Sequence, residues 1–291
     1  MKMKTLVFYI PSIEQGGVEK NFFQLINQLK KRKNFIFKII TYKKIKYLRS
    51  TKNLKIIYLS KSNFIKNRLI KFILCFIILL KEITFKKCIV IAYQSNILAI
   101  IASKITGNKI IIRFNTSINK YIKNLFKKYF FLFFYKLADK IIVNSFEFKK
   151  QLKTNLNLDS IVILNILNVK KTIKLSNIKF NFPFFKNFRK LKIINIGRLT
   201  DQKDHLTLLK SFKSLIEKRD AKLLIIGEGK NKRKIEGFIS SNSLKKKVKL
   251  ISFRKNPFKY IKNSDLFVLT SVYEGFPNVL LESACLKKPI I

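Results

Sequence analysis

Leu266-Phe267-Val268-Leu269-Thr270-Ser271-Val272-Tyr273-Glu274-Gly275-Phe276-Pro277-Asn278-Val279-Leu280-Leu281-Glu282 decides the fold. Its first five residues form an apolar run that reads as a buried strand. A glycine turn and a proline-started helix follow, which is the repeating unit of an open α/β sheet. In such sheets ligands bind outside the carboxyl ends of the strands. The helix N-terminus attracts anions through unpaired N–H groups and aligned peptide dipoles. Glu274 stands beside that N-terminus, and Glu282 falls one to two turns into the helix. This set suits a ligand that carries both hydroxyls and phosphate, as a nucleotide-sugar does.

The same rhythm runs through the chain. In the first half the sequence predicts strands near Thr5–Ile10, Phe35–Thr41, Leu54–Leu59, Cys88–Ala92, Lys109–Phe114, Lys140–Asn144 and Ile161–Leu164. Helical patterns lie over Val18–Lys31, Phe64–Ile83, Ile118–Ala138 and Phe146–Asn155. In the second half strands fall near Leu191–Ile196, Lys222–Ile226, Val248–Ser252 and Leu266–Thr270. Helices follow near His205–Lys218, Lys230–Ser240, Pro257–Lys262 and Pro277–Leu286. Alternation of this kind means parallel sheets covered by helices. From Asn165 to Lys190 the rhythm fades, and Asn181-Phe182-Pro183 marks a boundary. The expected architecture is α/β: two Rossmann-like, doubly wound domains facing across a cleft, over residues 1–180 and 187–291, with the cleft as the binding site.

Composition excludes several classes. Three cysteines, Cys75, Cys88 and Cys285, sit at no metal-ligand spacing and suit a reducing compartment. The apolar stretch Thr5–Ile10 is too short for a signal peptide. Phe72–Leu80, the longest uninterrupted apolar run, cannot span a bilayer that needs roughly 20 residues. A cytoplasmic protein is expected, lying against the inner face of the cytoplasmic membrane. Against 15 Asp+Glu stand 62 Lys+Arg, a net charge of +47. That field draws a protein toward anionic membrane, nucleic acid or phosphorylated substrates. Biased base composition is the competing source, since the chain is also rich in Ile, Asn and Phe and lacks Trp. Between Lys127-Lys128 and Lys136, the run Tyr129-Phe130-Phe131-Leu132-Phe133-Phe134-Tyr135 reads either as a core helix or as an interfacial one. Phe64–Leu80 is open in the same way.

Two further turns sit at strand ends. After Leu191–Ile196 comes Gly197-Arg198-Leu199-Thr200-Asp201-Gln202-Lys203-Asp204. Gly197 permits a sharp exit, Asp201 or Asp204 can cap the next helix, and Arg198 and Lys203 can converge on a diphosphate. After the first strand, Gly16 and Gly17 let a ligand approach the backbone at a helix start, without a P-loop or G-x-G-x-x-G pattern. Gly227-Glu228-Gly229 is a glycine pair with little meaning on its own. His205, the chain's one histidine, begins a helix and reads as a surface residue.

Gly-Arg-Leu-x₃-Lys, Ile-Ile-Gly-Glu-Gly and Ser-Asp-Leu-Phe-Val-Leu-Thr-Ser-x-Tyr-Glu-Gly-Phe-Pro-Asn-Val-x-Leu-Glu together resemble family 4 glycosyltransferases of the GT-B fold. The likeness covers the whole chain and is strongest over residues 191–291. It implies a retaining, metal-independent enzyme that uses a nucleoside diphosphate-sugar and no further cofactor. On this resemblance Arg198 and Lys203 hold the donor diphosphate. Glu274 binds the hydroxyls of the transferred sugar, beside Gly197 and the backbone of Gly275, Phe276, Pro277 and Asn278. Glu282 accepts from the ribose diol, and Gly16 and Gly17 admit donor and acceptor. Many members carry a histidine after the strand that here ends in Arg113-Phe114-Asn115, so Arg113 or Asn115 takes over sugar contacts. Relatives extend glycans, often undecaprenyl-diphosphate-linked, for capsule, O-antigen or lipopolysaccharide. They also continue past the strand that begins at Ile291; a truncated second domain is therefore expected, with reduced stability or no activity in the 291-residue form.

Two other readings stand beside this one: a basic nucleic-acid-binding protein, and an inactive truncated remnant. No nucleic-acid module is recognisable, the basic residues are spread along the chain, and no hydrolase-type carboxylate pair is evident. Thermal-shift measurements separate the readings. A nucleoside diphosphate-sugar is expected to raise the melting temperature, while mixed-sequence oligonucleotides bind only with steep salt sensitivity.

Overall fold

The computed structural model describes residues 3–13, 16–45, 48–61, 65, 67–115 and 124–291. The chain divides into two compact units, Met1–Ile166 and Leu167–Ile291.

In the first unit seven strands form one sheet: β1 (Lys4–Tyr9), β2 (Phe35–Lys43), β3 (Leu54–Ser60), β4 (Cys88–Ala92), β5 (Lys109–Phe114), β6 (Lys140–Val143) and β7 (Ile161–Val162). Their order is β3-β2-β1-β4-β5-β6-β7, and every pairing is parallel. Parallel neighbours require crossovers. These include α1 (Gly17–Leu29), α2 (Arg68–Ile83), α3 (Asn96–Ile105), α4 (Leu125–Lys136) and α5 (Phe146–Leu156). Successive β1 side chains point to opposite faces. Phe8 and Ile10 pack with Phe22 and Ile26 of α1. Val7 and Tyr9 pack with Cys75 and Leu79 of α2 and with Ala99 and Ile100 of α3. Strand order reverses between β1 and β4, so the turns leaving them diverge and open a crevice at the carboxyl edge.

The second unit repeats the plan on a smaller scale. It contains α6 (Val169–Ser176), β8 (Leu191–Ile196), α7 (His205–Lys218), β9 (Ala221–Ile226), α8 (Lys232–Ser241), β10 (Val248–Ile251), α9 (Phe258–Lys262), β11 (Leu266–Phe267) and α10 (Asn278–Cys285). The parallel sheet runs β10-β9-β8-β11, with its reversal between β8 and β11. One face packs on α7 and α8. The other packs on α9, α10 and the aromatic side chains of Phe180, Phe182, Phe184 and Phe185.

Three expectations differ from what is observed. The stretch after Asn165 is not without structure: Asn168 Oδ1 accepts from Lys171 N at 2.9 Å and caps α6. Because α6 packs on α9 and α10, the division between units falls at Ile166, ahead of the boundary expected after residue 180. Helix α3 was also unanticipated, since its run Asn-Ile-Leu-Ala-Ile-Ile-Ala has no polar stripe to betray a helical period. The start of the helix expected from Ile118 lies outside the described residues.

Strand β11 covers two residues of an apolar run of five, although the pairing goes on by other means. Val268 N donates to Ile194 O at 2.9 Å. The side chain of Asn195, 1% exposed, then donates from Nδ2 to Val268 O at 2.8 Å. An amide side chain thus takes the place of a main-chain donor directly below the turn that leads to Glu274. Asn195→Ala leaves that carbonyl unpaired and is expected to lower the unfolding free energy by about 2 kcal/mol in urea titration. An unchanged midpoint would show the bond to be dispensable.

Candidate functional site

The turns leaving β8 and β11 meet at the reversal point of the second sheet. Val272 N donates to Gln202 O at 2.9 Å, and Gln202 Nε2 donates to Tyr273 O at 3.0 Å. Thr270 Oγ1 lies 3.1 Å from Lys203 O and 3.0 Å from Asp204 O, as donor toward both. These bonds bring Lys203 Nζ against Glu274 Oε1 in a close, charge-assisted hydrogen bond, with both side chains largely covered. The aliphatic stem of Lys203 crosses Gly197, where an added Cβ would lie 3.5 Å from its Cδ.

A second set of bonds holds the β8 turn against the β9 turn. Gly197 N donates to Ile226 O at 3.1 Å, Leu199 N to Glu228 O at 2.9 Å, and Asn231 N to Leu199 O at 3.0 Å. Asp201 Oδ1 accepts from Asn231 Nδ2 at 2.8 Å, and its other oxygen pairs closely with Lys230. Those partners hold the Asp201 carboxyl below its usual range, Lys230 first and Asn231 next. The approach leaves no room for side chains. A Cβ at Gly227 would stand 1.9 Å from Gly197 O, and one at Gly229, whose φ is 156°, would stand 2.4 Å from Leu199 O. The glycine pair that carried little meaning in the sequence is a steric requirement of the Arg198 turn.

Residues 177–291 match the family described as Glycosyl transferases group 1. The second unit is a group 1 glycosyltransferase domain. The chain is 38% identical over 189 residues to an uncharacterized glycosyltransferase of Methanocaldococcus jannaschii, covering 61% of this chain and 46% of that one. Over 94 residues it is 43% identical to N-acetylgalactosamine-N,N'-diacetylbacillosaminyl-diphospho-undecaprenol 4-alpha-N-acetylgalactosaminyltransferase of Campylobacter jejuni, covering 32% of this chain and 25% of that one. The chain therefore spans under half the length of these relatives. The crystal structure of Anabaena HepE in complex with UDP and glucose matches 99% of this chain and 80% of its own, with a TM-score of 0.72 at 14% identity. The fold is that of the GT-B glycosyltransferases.

Within the group 1 domain the expected residues are distributed unequally. Lys203 joins Glu274 at its ammonium and passes beside Gly197 with its stem. Arg198 projects from the same turn into solvent, and among the described residues its guanidinium has no hydrogen-bond or ion-pair partner. Gly275, Phe276 and Pro277 lead into α10, which starts at Asn278 with Pro277 as its N-cap. Glu282 is 2% exposed, so its carboxylate is covered by the protein.

The first unit presents a separate edge. Gly16 is the N-cap of α1, and a Cβ there would lie 2.7 Å from Glu19 Oε2. Its absence lets the buried Glu19 fold back over the helix start, where negative charge is favoured. Gln94, in the turn after β4, links this carboxylate to the first turn: Nε2 donates to Glu19 Oε1 at 3.5 Å, and Oε1 accepts from Ser12 N at 2.9 Å. Neither Glu19 nor Gln94 was singled out as a site residue; the spacing of Glu19 three positions after a cap was the available signal. Arg113 is 7% exposed, and its bonds turn inward. Nε donates to Asn115 Oδ1 at 3.2 Å, and Nη2 donates to Ile163 O at 3.1 Å and Asn165 Oδ1 at 3.3 Å, beside the Tyr93 ring. Burial lowers its pKa. The expected sugar-contacting pair is occupied here in tying the turns after β5 and β7 together.

His205 corrects the sequence reading. It is 3% exposed, not a surface residue, and neither ring nitrogen has a partner among the described residues. Burial, then the nearby Lys203 charge, push its pKa down to about 4, so the imidazole is neutral. Between pH 6.5 and 4 the unfolded chain binds a proton that the folded chain refuses. Its contribution to stability is complete above pH 6.5 and is lost as pH falls toward 4, by on the order of 3 kcal/mol. Urea titrations across this range are expected to show that slope, and His205→Leu to flatten it between pH 6.5 and 5. An equal slope in both proteins would place the proton uptake elsewhere.

Proposed function

We propose that the chain is a retaining glycosyltransferase that moves a sugar from a nucleoside diphosphate-sugar to a lipid-linked saccharide. The acceptor is of the undecaprenyl-diphosphate type, and the product serves cell-surface polysaccharide such as capsule, O-antigen or lipopolysaccharide. The work is done at the inner face of the cytoplasmic membrane. One observation carries the reading: Lys203 and Glu274 meet at the sheet reversal of the second unit, on the turn that also exposes Arg198.

Without ligand, Lys203 and Glu274 neutralise each other. A diphosphate offers Lys203 a stronger anionic partner and offers Arg198 a planar, bidentate one. Glu274, released, accepts hydrogen bonds from sugar hydroxyls, which an ionised carboxylate can only accept. As the bond from the anomeric carbon to the diphosphate breaks, negative charge grows on the leaving oxygens where the two cations stand. Those cations fill the place that a divalent ion takes in other transferases. The acceptor hydroxyl attacks from the face the diphosphate vacates, and its proton passes to the departing phosphate, so the configuration is retained.

The relatives support this reading. The Campylobacter jejuni protein is named for transfer to a diphospho-undecaprenol-linked acceptor, and HepE was crystallised with UDP and glucose. Lys203→Ala and Glu274→Ala are each expected to lower turnover of the donor at least 100-fold. The partly covered ion pair contributes about 1 kcal/mol, so both variants should melt within several degrees of the parent. Undiminished transfer by both would remove the assigned roles.

A further inference from the structure

Helices α2, α3 and α4 cover one face of the first sheet, α2 packed on α3 and α3 on α4. A helix in that position normally turns a polar stripe to water. Here the outward stripes are apolar. On α2 the inward positions are Lys71, Cys75, Leu79 and Ile83, while Ile70, Ile73 (54% exposed) and Ile77 face out. On α4 Tyr135 faces in, while Phe126 (79% exposed), Tyr129 and Phe133 face out at helical spacing. Ile105, at the end of α3, and Phe85, after α2, extend the same exposure. An apolar surface spread over three neighbouring helices marks a docking site rather than scattered surface residues.

The charge on these helices names the occupant. They carry three, one and three lysines and arginines against a single carboxylate, Glu82, which is already bonded to Lys38 at 2.8 Å. Of these cations Lys71 faces inward and Lys104 pairs with Asp139 at 3.2 Å, and the others are left for headgroups. Arg68 stacks at 5.3 Å over Phe72, and Lys127, Lys128 and Lys136 flank the aromatic stripe of α4. Aromatic and aliphatic side chains bounded by Lys127, Lys128 and Lys136, which have no acidic partner among the described residues, match the boundary between acyl chains and anionic headgroups. A second copy of this +47 chain would bring like charges face to face. Among the described residues no helix is long and apolar enough to cross a membrane. We infer that the outward faces of α2, α3 and α4 lie in the surface of an anionic bilayer, with Phe126, Tyr129 and Phe133 inserted and the lysines on headgroups. This deepens the proposed function only in placing the first unit where a lipid-linked acceptor resides; the surface itself is read from that unit alone.

The absence of tryptophan supplies the test. Phe133→Trp and, in the second unit, Phe253→Trp each give one fluorophore at an exposed position. With phosphatidylglycerol vesicles, emission from Phe133→Trp is expected to shift to the blue and be quenched by brominated acyl chains, while Phe253→Trp stays unchanged. Co-flotation of the parent with the same vesicles should fall at least ten-fold in Phe126→Ser/Tyr129→Ser/Phe133→Ser. Each of Lys127→Gln, Lys128→Gln and Lys136→Gln should lower partitioning roughly five-fold. The donor-induced thermal shift, unchanged in these variants, reports folding and keeps this result apart from the proposed function. Equal quenching at both positions, flotation indifferent to the substitutions, or concentration-dependent dimerisation abolished by the triple variant would each overturn the inference.

Discussion

The candidate site depends on how closely two backbones pass at the carboxyl edge of the second sheet. Gly227 and Gly229 leave space for the carbonyls of Gly197 and Leu199, and any side chain there would overlap them. Because the β9 turn can lie flat against the β8 turn, main-chain bonds hold the latter, joined by the side chain of Asp201. Arg198 is thereby freed from a supporting role, while Lys203 closes onto Glu274 of the β11 turn. The arrangement is one of rigid backbone presenting one exposed cation and one paired cation, which favours preorganisation over adaptation.

Both units solve the same problem in different chemical dress. Each reverses strand order once, and each joins the two diverging turns with side-chain bonds. In the second unit the link is an ion pair between Lys203 and Glu274. In the first it is a neutral amide, Gln94, set between Glu19 and Ser12, with the buried Arg113 bracing the neighbouring turns. The Arg113 guanidinium is held by carbonyl and amide oxygens, and burial lowers its pKa. The two edges therefore differ in electrostatic character although their topology matches.

Much of this was legible in the residues. The parallel architecture followed from alternating strand and helix patterns, and the placing of Lys203 and Glu274 at two strand ends from the motifs there; that the two pair directly was not legible. Burial was less legible. His205 follows a capping aspartate, which suggests a wet helix start, yet it is 3% exposed and Thr270, after β11, bonds the carbonyl just before it. Arg113 was recognised as unusual for its position, but its inward bonds to Ile163 and Asn165 depend on residues fifty positions away. Helix α6 is short and lysine-rich, so it owes its existence to packing on α9 and α10 and not to its own period. For α2 an apolar run was obvious; which of its sides would be left uncovered depended on where α3 settled.

The bond between Lys203 and Glu274 has a consequence for selectivity. An unoccupied site that exposed a bare lysine would be a trap for any passing anion, inorganic phosphate included. With the carboxylate in place, a phosphate that takes the lysine strands a negative group beside itself, and the two like charges repel. Only a molecule that brings hydroxyls together with phosphoryl oxygens satisfies both partners at once. On the proposed reading, the pair acts as a lock that opens to a two-part key and stays shut against either part alone.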